Sequence, residues 1–177
     1  MLSDLRLYVR ERILRLKIGV LWSLLSCGIW LVVGEEQAHT VWILGIAALF
    51  IFSFRLLDDL ADRAHDSAKH RERILVRTQH VNTFGTVSLG GMAGLALIIG
   101  FTLGMAQGLG VMALAGAVLS IRKAYSLRDE RRSIVSSILL LKYPILIILL
   151  AAEPLRLSTI TIAAAFYIIP FADEMLA

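Results

Sequence analysis

Cysteine is almost absent from this sequence: Cys27 stands alone, so no intrachain disulfide exists and no stapled secreted scaffold can be built. Proline occurs three times, which excludes a collagen-like or proline-rich disordered chain. Charge is scarce as well. Only 18% of the residues are charged, against about 25% in an ordinary soluble domain. What fills the chain instead is apolar, at 58% of 177 residues. That excess in so short a chain argues against a soluble enzyme and for an all-α, polytopic membrane helical bundle.

The apolar residues gather into six runs, at about 18–33, 40–57, 84–103, 105–121, 134–152 and 158–172, against the ~20 residues that a membrane-crossing helix needs; the first and last are short and must recruit flanking residues or sit in locally thin bilayer. Trp22, Trp30 and Trp42 stand at or near the ends of the first two runs, where interfacial anchors belong. The basic start followed by an apolar run has the outline of a signal peptide. It has a long charged region and no A-x-A-like site before Glu35, so the first run is expected to be retained as a span. No linker or repeat divides the chain, and residues 1–177 are read as a single transmembrane domain.

The formal net charge is +4, and its layout speaks for membrane anchoring rather than for nucleic-acid binding. Arg6, Arg10, Arg12, Arg15 and Lys17 precede the first run. Arg63, Lys69, Arg71, Arg73 and Arg77 lie between the second and third, and Arg122, Lys123, Arg128, Arg131 and Arg132 between the fourth and fifth. These are all of the 18 lysines and arginines except Arg55, Lys142 and Arg156. The opposite loops are short and poor in cations. By the positive-inside rule both termini are expected in the cytoplasm. Glycines from Gly90 to Gly116 crowd the third and fourth runs and predict a closely packed antiparallel hairpin.

Chemistry concentrates just after the second run, in Arg55-Leu-Leu-Asp58-Asp59-Leu-Ala-Asp62-Arg63-Ala-His65-Asp66. If the helix continues past Leu57, Asp58, Asp62 and Asp66 recur every four residues along one face with Asp59 beside them. Carboxylates so placed repel one another, and either take up protons or hold divalent cations. Mg²⁺ suits such oxygen ligands, shared between carboxylates and substrate phosphates. The plainer reading is a charge-laced helix end in which Arg63, Lys69 and Arg73 neutralise the acids. His65 is a neighbour of the carboxylates or a proton shuttle. The remaining histidines and Cys27 form no zinc spacing.

At these residues the sequence resembles the UbiA superfamily of intramembrane prenyltransferases, whose first aspartate-rich motif, N/D-D-x-x-D-x-x-x-D, follows the second transmembrane helix. Asp58, Asp59, Asp62 and Asp66 match its acidic positions. His70 and Arg73 match the H-P-x-R-P that often follows, with Arg71 and Ile74 in place of its prolines. Arg55 also recurs there, and Tyr125-Ser-Leu-Arg128 resembles a Tyr-Ser segment on the next cytoplasmic loop.

The resemblance implies Mg²⁺ on Asp58, Asp59, Asp62 and Asp66, an isoprenyl diphosphate bound with help from Arg55, Arg73, Tyr125 and Arg128, and transfer of its prenyl group to a small aromatic or lipid-precursor acceptor. It covers nearly all of this chain and the front two thirds of the family fold. Members carry a second D-x-x-x-D motif after the sixth helix. Asp173 stands where that motif would begin and Ala177 where its partner acid would be, and a second subunit is one source of the acids that the resemblance calls for. The alternative is a non-catalytic assembly or lipid-binding module.

Lys142 is the outlier of the fifth run. A cation inside a span faces a cavity or a partner, or else its stem snorkels to the interface. Phe52, Phe54, Tyr125 and Tyr143 are either packing residues or aromatic faces for an allylic cation.

Overall fold

The computed structural model describes residues 1–33, 39–125 and 132–175. Among these residues the fold is entirely helical. An N-terminal arm, α1 (Leu2–Tyr8), runs on through a π-helical turn at Val9–Ile13 and bends into α2 (Leu16–Val32). Then follow α3 (Thr40–Ala61), α4 (Arg63–Lys69), α5 (Ile74–Arg77), α6 (Val81–Thr102), α7 (Met105–Tyr125), α8 (Arg132–Leu139), α9 (Lys142–Leu150) and α10 (Leu157–Met175).

Among the described residues three helices are long and apolar enough to cross a membrane: Thr40–Ala61, Val81–Thr102 and Met105–Ala124. The arm and α2 meet at 78° and would make a fourth if counted together. At 1.5 Å per residue α3 is about 33 Å long, against a hydrocarbon core of about 30 Å. Its buried residues Ile43, Ile46, Ala47, Phe50, Phe54 and Leu57 recur every three or four positions, a stripe that turns one face to the bundle.

The expected fifth run is not one helix. It is divided into α8 and α9 by a turn at Leu140 and Leu141. Pro144 lacks the N–H that would continue the ladder back to Leu140, and the Leu140 carbonyl instead accepts from Tyr143 N at 3.2 Å. The sixth run forms α10, whose apolar part spans Leu157–Ile168.

Packing is most extensive between α3 and α6, between α6 and α7, and between α9 and α10. One core runs through the bundle, with Leu25 and Ile29 from α2, Phe50 and Phe54 from α3, Leu95 and Ile99 from α6, Val111 from α7 and Leu146 and Ile147 from α9. Burial of such side chains is worth about 1.5–3 kcal/mol each in water. In lipid the gain comes instead from close packing.

The glycine expectation holds at one end of the hairpin only. Gly104 takes φ +135° in the turn between α6 and α7, a conformation that favours glycine. A Cβ on Gly108 would lie 2.6 Å from the Ala96 carbonyl oxygen and 2.8 Å from Gly100 Cα, so these helices touch backbone to backbone. Gly90, Gly94 and Gly116 face open space instead.

A second, smaller core gathers Tyr8, Leu56, Leu75 and Phe84 where the arm meets α3, α5 and α6. Two polar ties hold the arm to the α4–α6 connection. The Glu11 carboxylate accepts from Ile74 N at 3.1 Å, and Asp4 accepts from the Thr78 hydroxyl at 2.7 Å. The Thr78 hydrogen bond holds the Asp4 carboxyl below its ordinary value.

Candidate functional site

The aspartate-rich segment is helical, as its spacing predicts. Asp62 N donates to the Asp58 carbonyl at 3.0 Å and Asp66 N to the Asp62 carbonyl at 2.9 Å, so the ladder passes from α3 into α4 with Asp62 at a loosened junction. The four carboxylates, however, have three different surroundings.

Asp58 and Asp62 face α7 and share one guanidinium. Arg122 donates from Nη2 to Asp58 at 2.7 Å and from Nη1 to Asp62 at 3.3 Å. The other Asp58 oxygen accepts from Lys142 Nζ. Three helices are thereby joined by one charge cluster. Lys142 is only 4% exposed, and its ammonium lies 5.7 Å and 5.5 Å from the ring centres of Phe54 and Tyr143, within cation–π range. Lys142 thus has an inward partner, Asp58.

Asp59, about 100° further round the helix, is turned to the arm. Arg12 chelates it, with Nε on one oxygen at 3.0 Å and Nη2 on the other. The Tyr8 hydroxyl donates at 3.0 Å, and Arg55 Nη2 lies 3.4 Å away. Asp66, also buried, is paired with Arg73 at 2.5 Å. The mutual repulsion that the bare spacing implies is thus answered by Arg12, Arg55, Arg73, Arg122 and Lys142.

Two donors in this cluster are left over. Arg55 Nε and Arg122 Nε are buried and have no hydrogen-bond partner among the described residues. A buried polar group left unpaired costs about 1–3 kcal/mol, more when charged, and such orphans call for an explanation.

Among the described residues no group of three or more His, Cys, Asp or Glu side chains is arranged to hold a metal ion. The pair best fitted to one is Asp58 with Asp62. They share a face, and the Asp62 side chain, at 35% exposure, is open to water. Asp59 and Asp66 are closed in by their own cations, and both Asp58 oxygens are taken by Arg122 and Lys142, so Asp62 is the most open of the four. A shallow cleft of about 420 Å³ lies on the other face of the same helical run, lined by Leu60, Ala61, Arg63, Ala64, Ser67, Val76 and Val81, and none of the four aspartates borders it.

Of the expected diphosphate ligands, Arg55 and Arg73 are present in the cluster. Arg128 and the side chain of Tyr125 lie outside the described residues, as does the side chain of Asp173. Sequence reasoning passed over Tyr8, Arg12 and Arg122, counting both arginines among the cytoplasmic anchors. The available signals were slight: Arg122 stands three residues before Tyr125, and Tyr8 and Arg12 are one helical turn apart. Comparison with protein-family models, with curated proteins and with solved structures finds no match for this chain.

Proposed function

We propose that this chain is a UbiA-like membrane protein that binds an isoprenyl diphosphate at the end of α3 and α7 and takes part in transferring its prenyl group to a small acceptor. The observation that carries the reading is the pair of buried, unpartnered guanidinium nitrogens, Arg55 Nε and Arg122 Nε, beside the aspartate motif. Phosphate oxygens are the acceptors that such donors fit best.

In this reading all six apolar runs span the membrane and both termini are cytoplasmic, which puts the charge cluster at the cytoplasmic end of the bundle. Asp58 and Asp62 would hold Mg²⁺, which when bound neutralises charge on the leaving diphosphate. The chain's own work is positional. Arg122 and Lys142, released from Asp58 in part, turn toward the diphosphate, with Arg55 and Arg73 beside them. The prenyl tail lies against apolar helix surface.

A second reading has its own observation. Every carboxylate of the motif is already compensated within the chain, as in a structural ion-pair network that holds α3, α7, α9 and the arm together. That fits an assembly or lipid-binding module. Transfer of a radiolabelled prenyl group to a panel of acceptors, with Asp62→Ala beside the native chain, separates the two. Turnover that the substitution abolishes supports the enzyme. No turnover, with or without an added membrane subunit, and no diphosphate binding supports the module.

A further inference from the structure

The N-terminal arm has two faces. Toward the bundle it presents Tyr8 and Arg12, with Leu5, Val9 and Ile13 partly buried beside them. Away from it stand Arg6 and Arg10, followed by Arg15 at the bend and Lys17 in the first turn of α2, all exposed. Among them are leucines that none of the described residues covers: Leu2 is 75% exposed, Leu7 50%, Leu14 74% and Leu16 86%.

The position of the arm decides what these leucines meet. The Tyr8 ring touches Phe84 and Phe52, with centres 5.8 Å and 6.5 Å away. Phe52 lies about 14 Å back from the Ala61 end of α3 at helical rise. Val87, well inside α6, packs on the same cluster. The arm therefore lies along the flank of the bundle, beside the ends of α3 and α6 and not over them. It bends by 78° from α2, so when α2 runs across a bilayer the arm runs nearly along its surface.

We propose that the outer face of the arm and of its bend into α2 is a binding surface for anionic phospholipid, with Leu7, Leu14 and Leu16 set into the headgroup boundary and Arg6, Arg10, Arg15 and Lys17 paired with lipid phosphates. Interfacial helices combine apolar and Lys/Arg-rich surfaces in this way, and their basic residues favour anionic leaflets. Long basic stems cover apolar surface while their heads reach the phosphate level. Arg12 is not part of this surface, because Asp59 holds it on the other side. The assignment is independent of any prenyl chemistry.

The test uses the full chain in lipid nanodiscs, in a Cys27→Ser background, with an environment-sensitive fluorophore on Leu7→Cys or Leu14→Cys. Glu72→Cys, exposed in the charged connection after α4, serves as the aqueous control. Quenching by a doxyl label near the headgroups is compared in phosphatidylcholine alone and in its mixture with phosphatidylglycerol. The expected result is several-fold stronger quenching at Leu7 and Leu14 than at Glu72, increased by phosphatidylglycerol. Replacing Arg6, Arg10, Arg15 and Lys17 by Gln should remove the increase. Since four substitutions can loosen the arm, salt gives a second control on the native chain. Going from about 0.01 to 1 M shortens the screening length from ~30 to ~3 Å and should also remove the increase. Quenching no stronger than at Glu72, or equal in the two lipid mixtures at low salt, overturns the proposal.

Discussion

Asp58 and Lys142, 84 residues apart in sequence, form a buried ion pair that ties α3 to α9. Arg122 of α7 completes it from the other side at 2.7 Å. Removing Lys142 leaves the Asp58 carboxylate with Arg122 as its one remaining cation, whereas removing both Asp58 and Lys142 leaves Arg122 on Asp62 and no half-compensated acid in the interior.

Lys142→Met should therefore destabilise the protein, by less than the about 3–5 kcal/mol of a wholly uncompensated buried charge because Arg122 stays on Asp58, while the double variant Lys142→Met with Asp58→Leu should cost less than the sum of the two single losses. Unfolding in detergent, followed by circular dichroism, measures the difference. Additive losses would show that the two residues do not depend on each other.

The arm makes a similar prediction on a smaller scale. Tyr8→Phe keeps the ring contacts with Phe52 and Phe84 but removes the hydroxyl that donates to Asp59. A hydrogen bond to a charged group contributes about 1.5–3 kcal/mol, and a loss of that order is expected. Hydrogen exchange of the arm amides should rise with it, whereas unchanged exchange would mean that Tyr8 acts through its ring alone.

The glycines separate by what surrounds them. Gly108→Ala forces a methyl against the Ala96 carbonyl and Gly100, and overpacking of this kind costs about 1–3 kcal/mol. Gly90→Ala meets nothing within 4 Å and should be neutral or stabilising by up to about 1 kcal/mol, from helix propensity alone. Thermal unfolding of the two variants checks the order, which the account requires.

Acid should loosen the arm late. The Asp4 carboxyl is held below its ordinary value by the Thr78 hydroxyl, so its ionised form is favoured in the folded chain. The contribution is fully present above the unfolded carboxyl value of about 4 and is lost only as pH falls through the lowered folded value. Fluorescence of a probe at the arm should stay flat from neutral pH down to that region and change below it. Thr78→Val should remove the Asp4 part of the transition. A transition near neutral pH would point to another group.

How much of this was legible in the sequence follows from the range of each interaction. The helix α3 could be read because its length and apolar stripe are local, and the helical placement of Asp58, Asp62 and Asp66 follows from the same periodicity. The partners of those acids could not. Arg122 and Lys142 lie 64 and 84 residues from Asp58, and nothing in a basic loop says which arginine turns inward. Arg12 was hidden in the same way, one inward cation among four that face out. The glycines of α6 and α7 gave the hairpin but not its contact face, because Gly90 and Gly108 look alike until the helix rotation is known. The division between α8 and α9 had a local mark in Pro144, yet the apolar run continues through it.

The proposed function requires the charge cluster around Asp58 and Asp62 to bind a diphosphate together with Mg²⁺. Titration calorimetry of the purified chain in detergent, with a non-hydrolysable isoprenyl thiodiphosphate in the presence and absence of Mg²⁺, tests it most directly. The account predicts weak Mg²⁺ binding alone, because Mg²⁺ gives up its water reluctantly, a clear gain in Mg²⁺ affinity when the thiodiphosphate is present, and loss of that gain in Asp62→Ala. Equal Mg²⁺ affinity with and without the thiodiphosphate, or no binding of either, would contradict it.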